Sequence, residues 1–354
     1  MSAPLLEVRD LHKHYPVRGG IFSRTVGTVR AVAGVSLQVH AGSTLGLVGE
    51  SGCGKSTLGR TLMRLEEPTS GQVLFDGHDL AQANGSALFK LRREMQMVFQ
   101  DPYSSLNPRL TVGEIVREPM LVHGMGSKAE QVERVRELLA TVGLGADALQ
   151  RYPSEFSGGQ RQRIGVARAL SLNPRLVIAD EPVSALDVSV QSQVLNLMVQ
   201  LQRERGLAYV FISHDLSVVE HVSDVVAIMY LGRIVEMGPV RAIFDRPAHP
   251  YTRALMQAIP SGNPRQRRAS VPLTGEAPSP MAAQPGCSFA SRCPYALDAC
   301  RQAVPPLEPV VTATSTSTST SAATATATAM NATPAHRVAC IRRDEIPAVA
   351  AAAG

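Results

Sequence analysis

Four stretches of this chain set reactive or charge-binding groups at spacings that chemistry can use. Gly49-Glu50-Ser51-Gly52-Cys53-Gly54-Lys55-Ser56 fits the pattern G-x-x-x-x-G-K-[ST]. Its glycines let successive backbone N–H groups turn toward a phosphate without side-chain obstruction, and a helix beyond adds its positive dipole. Lys55 is then placed to reach the β and γ phosphates of a nucleotide. The Ser56 hydroxyl, with Thr57 beside it, is placed to ligate Mg²⁺, and Cys53 lends its backbone rather than its thiol. Asp180-Glu181 ends the apolar run Leu176-Val-Ile-Ala179. There one carboxylate can hold Mg²⁺ through water while its neighbour polarises an attacking water. Ser157-Gly158-Gly159-Gln160 is a second anion-binding helix start, with Ser157 as the cap and bared backbone N–H groups after it. Cys287, Cys293 and Cys300, spaced x5 and x6, stand with Cys340 in the last quarter. Four such thiolates can complete a tetrahedral zinc site or hold a [4Fe–4S] cluster; as reduced thiols they pack as small hydrophobes.

These groups need a scaffold, and the hydrophobic pattern predicts one. Thr44-Leu-Gly-Leu-Val48 reads as a buried parallel strand running into the glycine-rich loop, with a helix from Ser56 to Leu65 beyond it. Similar strands are expected at Leu176–Ala179 and Tyr209–Ile212. Helical patterns cover Lys128–Thr141, Gln160–Ala169 and Val190–Arg205. Strands alternating with helices imply an α/β core with a mostly parallel sheet. Nearer the start, Leu5–Val8 and Val35–Val39 read as strands, with a loop-like Arg18-Gly19-Gly20 between them.

The chain has 354 residues, enough for two or three compact units at roughly 150 residues each. Lys and Arg number 35 against 30 Asp and Glu, too even a balance for a nucleic-acid platform. No apolar run approaches the ~18 residues of a membrane span, and the first ten residues lack the pattern of a signal peptide. A soluble cytoplasmic protein is expected. After Pro260 the periodicity fades. Residues 312–329 are almost entirely Thr, Ser and Ala, which predicts a disordered insertion extending to about 333.

Phe156-Ser-Gly-Gly-Gln160 resembles the L-S-G-G-Q signature of the ATP-binding-cassette (ABC) ATPases, and other motifs of that family arrive in order over residues 5 to about 260. The resemblance implies a role for each. Tyr15 stacks on adenine, and Gln100 ligates Mg²⁺ and senses the γ-phosphate. Asp187, in Ser184-Ala-Leu-Asp187, couples two nucleotide sites, and His214 contacts the γ-phosphate. It also implies a RecA-like core, an antiparallel β subdomain and a helical subdomain at about 101–165, all within residues 1–260. In this family the signature caps ATP bound by another subunit, so one chain with one motif set needs a partner.

The insertion at 17–29, Pro102–Arg109, His249–Leu255 and Gly286–Pro294 resemble the ATP-binding subunits of dipeptide and oligopeptide importers, most closely the F-type dipeptide-permease ATPases. That likeness implies a second ATPase (paralogue or second copy), two membrane permease subunits and a solute-binding protein, at the cytoplasmic face of the inner membrane and without nucleic acid. It implies a small irregular extension at 261–354 whose four cysteines hold a [4Fe–4S] cluster, with zinc as the alternative. Nickel, a haem precursor or glutathione remain alternative solutes. Soluble ABC ATPases acting on ribosomes or DNA usually carry two cassettes or a long coiled-coil insertion, and neither is present.

Overall fold

The structure, a computed structural model, describes residues 3–19, 24–101, 103–258, 278–279, 281, 285–310, 335–343 and 345. The Thr/Ser/Ala tract at 312–333 and the expected boundary at 260–261 lie outside the described residues. Among the described residues the strands are β1 (Leu6–Gly19), β2 (Arg24–Val39), β3 (Thr44–Val48), β4 (Ser70–Phe75), β5 (His78–Asp79), β6 (Met95–Val98), β7 (Leu176–Asp180), β8 (Ala208–Ser213), β9 (Val225–Tyr230), β10 (Arg233–Pro239), β11 (Glu308–Pro309) and β12 (Arg337–Val338). The helices are α1 (Lys55–Leu62), α2 (Gly85–Glu94), α3 (Val112–Val122), α4 (Lys128–Thr141), α5 (Gly158–Leu170), α6 (Val188–Arg205), α7 (Leu216–Val222), α8 (Val240–Asp245) and α9 (Pro250–Gln257).

The strands build two sheets. One is antiparallel, in the order β2-β1-β4-β5; the other runs β11-β12-β10-β9-β3-β8-β7-β6. Within the second, β9, β3, β8, β7 and β6 are parallel. Their side chains alternate between two layers, as a strand period of two requires. Leu176, Ile178, Val210 and Ile212 join the layer that also holds β1, β2 and α1, while Val177, Ala179, Tyr209 and Phe211 face the layer of α3 to α7. Three helices start on reciprocal capping boxes, Thr111 with Glu114, Ser127 with Glu130 and Ser157 with Gln160. Each such cap contributes about 1 kcal/mol.

One expectation changes. Among the described residues, the insertion at 17–29 extends the antiparallel pairing of β1 and β2 rather than forming a loop: Tyr15 pairs with Val29, Pro16 with Thr28 and Val17 with Gly27, and Gly19 pairs with Arg24. Thr25, Val26, Thr28 and Val29 are β-formers, and their pairing overrides the turn-like Gly19. The described part of the C-terminal extension is largely irregular, as expected, apart from two short strands. β12 adds to the β10 edge through Glu236–Val338 and Met237–Arg337, and β11 adds to β12. This covers an edge that would otherwise present unpaired backbone groups. Phe289, 1% exposed, joins the main core.

Candidate functional site

The parallel strands share one direction, so their carboxyl ends deliver four segments to the same edge, the usual place for ligands in open α/β sheets. β3 runs into the glycine-rich loop, β8 into His214, β7 into Glu181 and β6 into Gln100. A cavity of about 510 Å³ opens there, within the range of small-molecule sites. Tyr15, the loop from Ser51 through Thr57, Gln100, Glu181 and His214 line it.

The loop is held by its own backbone. Lys55, 4% exposed, donates from Nζ to the carbonyls of Gly49 (2.8 Å) and Glu50 (3.0 Å). A Cβ at Gly49 would run into the Met229 carbonyl, and one at Gly54, where φ is +106°, into that of Ala31. Only glycine meets both demands. The Ser56 hydroxyl donates to Asp180 Oδ1 at 2.8 Å. Burial pushes the Asp180 carboxyl above its usual range, with the Ser56 hydrogen bond opposing. Gln100 Nε2 donates to Glu181 Oε2 at 2.9 Å, and His214 Nδ1 stands 3.3 Å from that oxygen. Glu181 has φ +44°, a conformation costly for a non-glycine residue and common where function dictates side-chain aim. The Tyr15 hydroxyl donates to Glu66, and Lys13 Nζ lies 4.8 Å from the Tyr15 ring centroid.

Ser157, Gly158, Gly159, Gln160 and Asp187 do not line this cavity. Ser157 caps α5, and a Cβ at Gly159 would collide with Val190. Asp187 is the exposed N-cap of α6, where its carboxylate accepts no cap hydrogen bond.

Sequence reasoning missed the part of the wall made by Val29, Arg30 and Ala31 and by the Leu231-Gly232 turn. The turn had a local signal, a Gly after an apolar run, and both its residues take positive φ. The Val29–Ala31 wall had none, because it arises from a long-range approach of β2.

The four C-terminal cysteines do converge. Cys287, Cys293, Cys300 and Cys340 line one cavity of about 20 Å³, room for a water-sized guest, together with His249 and Phe289. Burial pushes the Cys287 thiol up to about 11 and also raises Cys293 and Cys340. Their sulfur set suits a soft metal. The expected cluster or zinc nevertheless finds no support in their placement, because no group of three or more His, Cys, Asp or Glu among the described residues is arranged to hold a metal ion.

The extension also buries a fully paired carboxylate. Glu236, 0% exposed, accepts from the backbone N–H groups of Ala248 (2.7 Å) and His249 (2.8 Å) and from His336 Nε2 (2.7 Å). Among the described residues no helix is long and apolar enough to cross a membrane.

Comparison with known proteins agrees with this geometry. Residues 32–184 match the family described as ABC transporter, and residues 235–300 the oligopeptide/dipeptide transporter C-terminal region. The chain is 57% identical to a probable peptide ABC transporter ATP-binding protein of Sinorhizobium fredii, covering 88% of each chain. It is 54% identical to the oligopeptide transport ATP-binding protein AppF of Bacillus subtilis, covering 85% of this chain and 92% of that one. With the dipeptide transport ATP-binding protein DppF of Escherichia coli it shares 53% identity, covering 87% and 92%. Among solved structures, a dimeric ATP-binding cassette in a post-hydrolysis state with ADP and Pi superposes with a TM-score of 0.60 at 29% identity, over 67% of this chain and 99% of that one. The cbiO1 protein of Clostridium perfringens gives 0.59 at 27%, over 69% and 91%. The fold is that of an ABC nucleotide-binding domain, and the chain belongs to the ATP-binding proteins of ABC transporters, in the family that carries the oligopeptide/dipeptide transporter C-terminal region.

Proposed function

We propose that this chain is the ATP-binding and hydrolysing subunit of a binding-protein-dependent importer of dipeptides or oligopeptides. One observation carries the reading: Tyr15, the loop around Lys55, Gln100, Glu181 and His214 meet in a single cavity. The names of the relatives supply the solute class.

ATP binds with its adenine against Tyr15 and its phosphates in the Gly49–Ser56 loop. The bonds Lys55 now makes to Gly49 and Glu50 are ones a phosphate can replace. The oxygen donors at Ser56, Gln100 and Asp180 suit Mg²⁺, a hard cation. Bound there it neutralises charge on the β and γ oxygens. Glu181, aimed by its strained backbone and held by Gln100, orients and polarises the attacking water, and His214 contacts the γ-phosphate. Ser157–Gln160 and Asp187, at helix starts away from the cavity with Ser157, Gln160 and Asp187 exposed, serve the site of a second ATPase chain. Residues 1–260 form the nucleotide-binding domain, with the helical subdomain at about 101–165 meeting a permease at the cytoplasmic membrane face. Residues 261–354 are the extension. For its cysteines, about four iron atoms per chain after anaerobic purification would support a cluster, and stoichiometric zinc the alternative.

The test is reconstitution with the cognate permeases, second ATPase and binding protein in liposomes. A dipeptide-loaded binding protein should stimulate ATP hydrolysis and drive uptake of labelled dipeptide. Stimulation by nickel-loaded protein alone would assign the chain to another solute.

A further inference from the structure

Glu50, the second residue of the phosphate-binding loop, has every polar group taken up inside the protein. Its N–H donates to the Tyr251 hydroxyl at 2.9 Å. Its carbonyl accepts from Lys55 Nζ at 3.0 Å and from the Cys53 N–H at 3.2 Å. Its carboxylate is held by Arg292, whose Nη1 lies 3.0 and 3.2 Å from the two oxygens. Arg292 lies 242 residues further along the chain and is only 8% exposed. It also reaches the Tyr230 hydroxyl at 3.4 Å. Tyr230, Tyr251 and Phe289 cluster beside the pair in tilted and edge-to-face contacts, with centroids 4.6 to 5.5 Å apart. Glu50 keeps 29% of its side chain exposed, so the pair is only partly screened, and losing Arg292 leaves the carboxylate without its partner.

Arg292 is placed by the cysteine segment itself. Its N–H donates to the Phe289 carbonyl at 3.0 Å, the Ala290 N–H to that of Cys287 at 3.0 Å, and the Cys287 N–H to that of Cys300 at 2.7 Å. The fold that gathers the thiols is therefore the fold that aims the guanidinium. We propose that Arg292 is a positioning residue for nucleotide binding: it neutralises the Glu50 carboxylate and holds it clear of the phosphates, so the cysteine-bearing extension governs the affinity of the ATP site. An unpaired carboxylate within the loop would repel the β and γ phosphates, which fixes the sign of the effect.

The proposal rests on the reading of Gly49–Ser56 as the phosphate cradle. Binding of a non-hydrolysable ATP analogue with Mg²⁺ to the full chain, measured by calorimetry, tests it. Arg292→Ala and Arg292→Gln should each bind about tenfold more weakly, a size typical of residues acting through a neighbour. Adding Glu50→Gln to either should restore affinity to within about twofold of the wild type. A residue that only stabilised the fold would give no such recovery. Wild-type affinity in folded Arg292→Gln, or a loss that Glu50→Gln does not relieve, would overturn the proposal. Should Arg292→Ala not fold, Arg292→Gln carries the same test. Lys55→Ala separates the two failures. If it too binds normally, the cradle itself is misassigned. If it loses binding while Arg292→Gln does not, only the role of Arg292 falls.

Discussion

The carboxyl ends of the parallel strands and the C-terminal extension use the same kinds of side chain in opposite ways. At the strand ends, Lys55 bonds to the loop's own carbonyls, Ser56 to Asp180, and Gln100 and His214 both approach one oxygen of Glu181, all around an open cavity. Those pairings are ones that an incoming phosphate, metal or water can replace. Where the extension docks, Glu236 of β10 and Arg292 are buried against their partners. Those pairings are permanent, because opening them would leave buried polar groups unmet. Chemistry is located where bonds can be exchanged, and docking where they cannot.

The largest test of this contrast is Glu181→Gln. It keeps the shape of the cavity but removes the base, so hydrolysis by the assembled transporter should fall roughly 10²- to 10⁴-fold with ATP affinity retained. Normal turnover would remove Glu181 from that role.

On the extension side, Phe289→Ala should leave a cavity among Tyr230, Tyr251 and His249 and cost about 3–5 kcal/mol in denaturant unfolding. A loss under 1 kcal/mol would mean that the segment does not dock through this side chain.

The permanence of the docking also has a pH signature. Burial pushes His249 down to about 4, against about 6.5 for an unfolded histidine. The unfolded chain therefore takes up the proton first. Stability is full above the unfolded value and declines as pH falls from about 6.5 toward 4, by up to about 3 kcal/mol. His249→Asn keeps an acceptor for the Tyr251 N–H at the helix cap and should flatten that part of the urea-midpoint profile. An unchanged slope would assign the pH dependence to other groups. The smallest effect is expected from deleting residues 312–329, whose Thr/Ser/Ala composition offers no apolar face to bury. Melting temperature and ATPase activity should not change.

What the sequence disclosed follows the same division. The phosphate loop was legible because its geometry is local: eight residues and their glycines dictate where the N–H groups point. Gln100 and His214 carried weight only through the resemblance, since one Gln or His after a strand says little by itself, whereas Glu181 was legible as a carboxylate ending an apolar strand. The Glu236–His336 pair was not, since spacing carries no sign that two groups a hundred residues apart are buried together. The strand pairing of Gly19 was hidden for the same reason: Gly19 looks like a turn until Arg24 pairs with it. Nothing in the spacing of Arg292 points to Glu50, and its reach to that carboxylate appears only in the folded chain.

The central claim is that the strand-end site of one chain is completed by Ser157–Gln160 of another. Light scattering on Glu181→Gln mixed with its cognate second ATPase, with ATP and Mg²⁺, tests it most directly. The account predicts the mass of an ATPase pair, returning to single chains once ATP is removed. Single-chain mass with ATP demonstrably bound would contradict it.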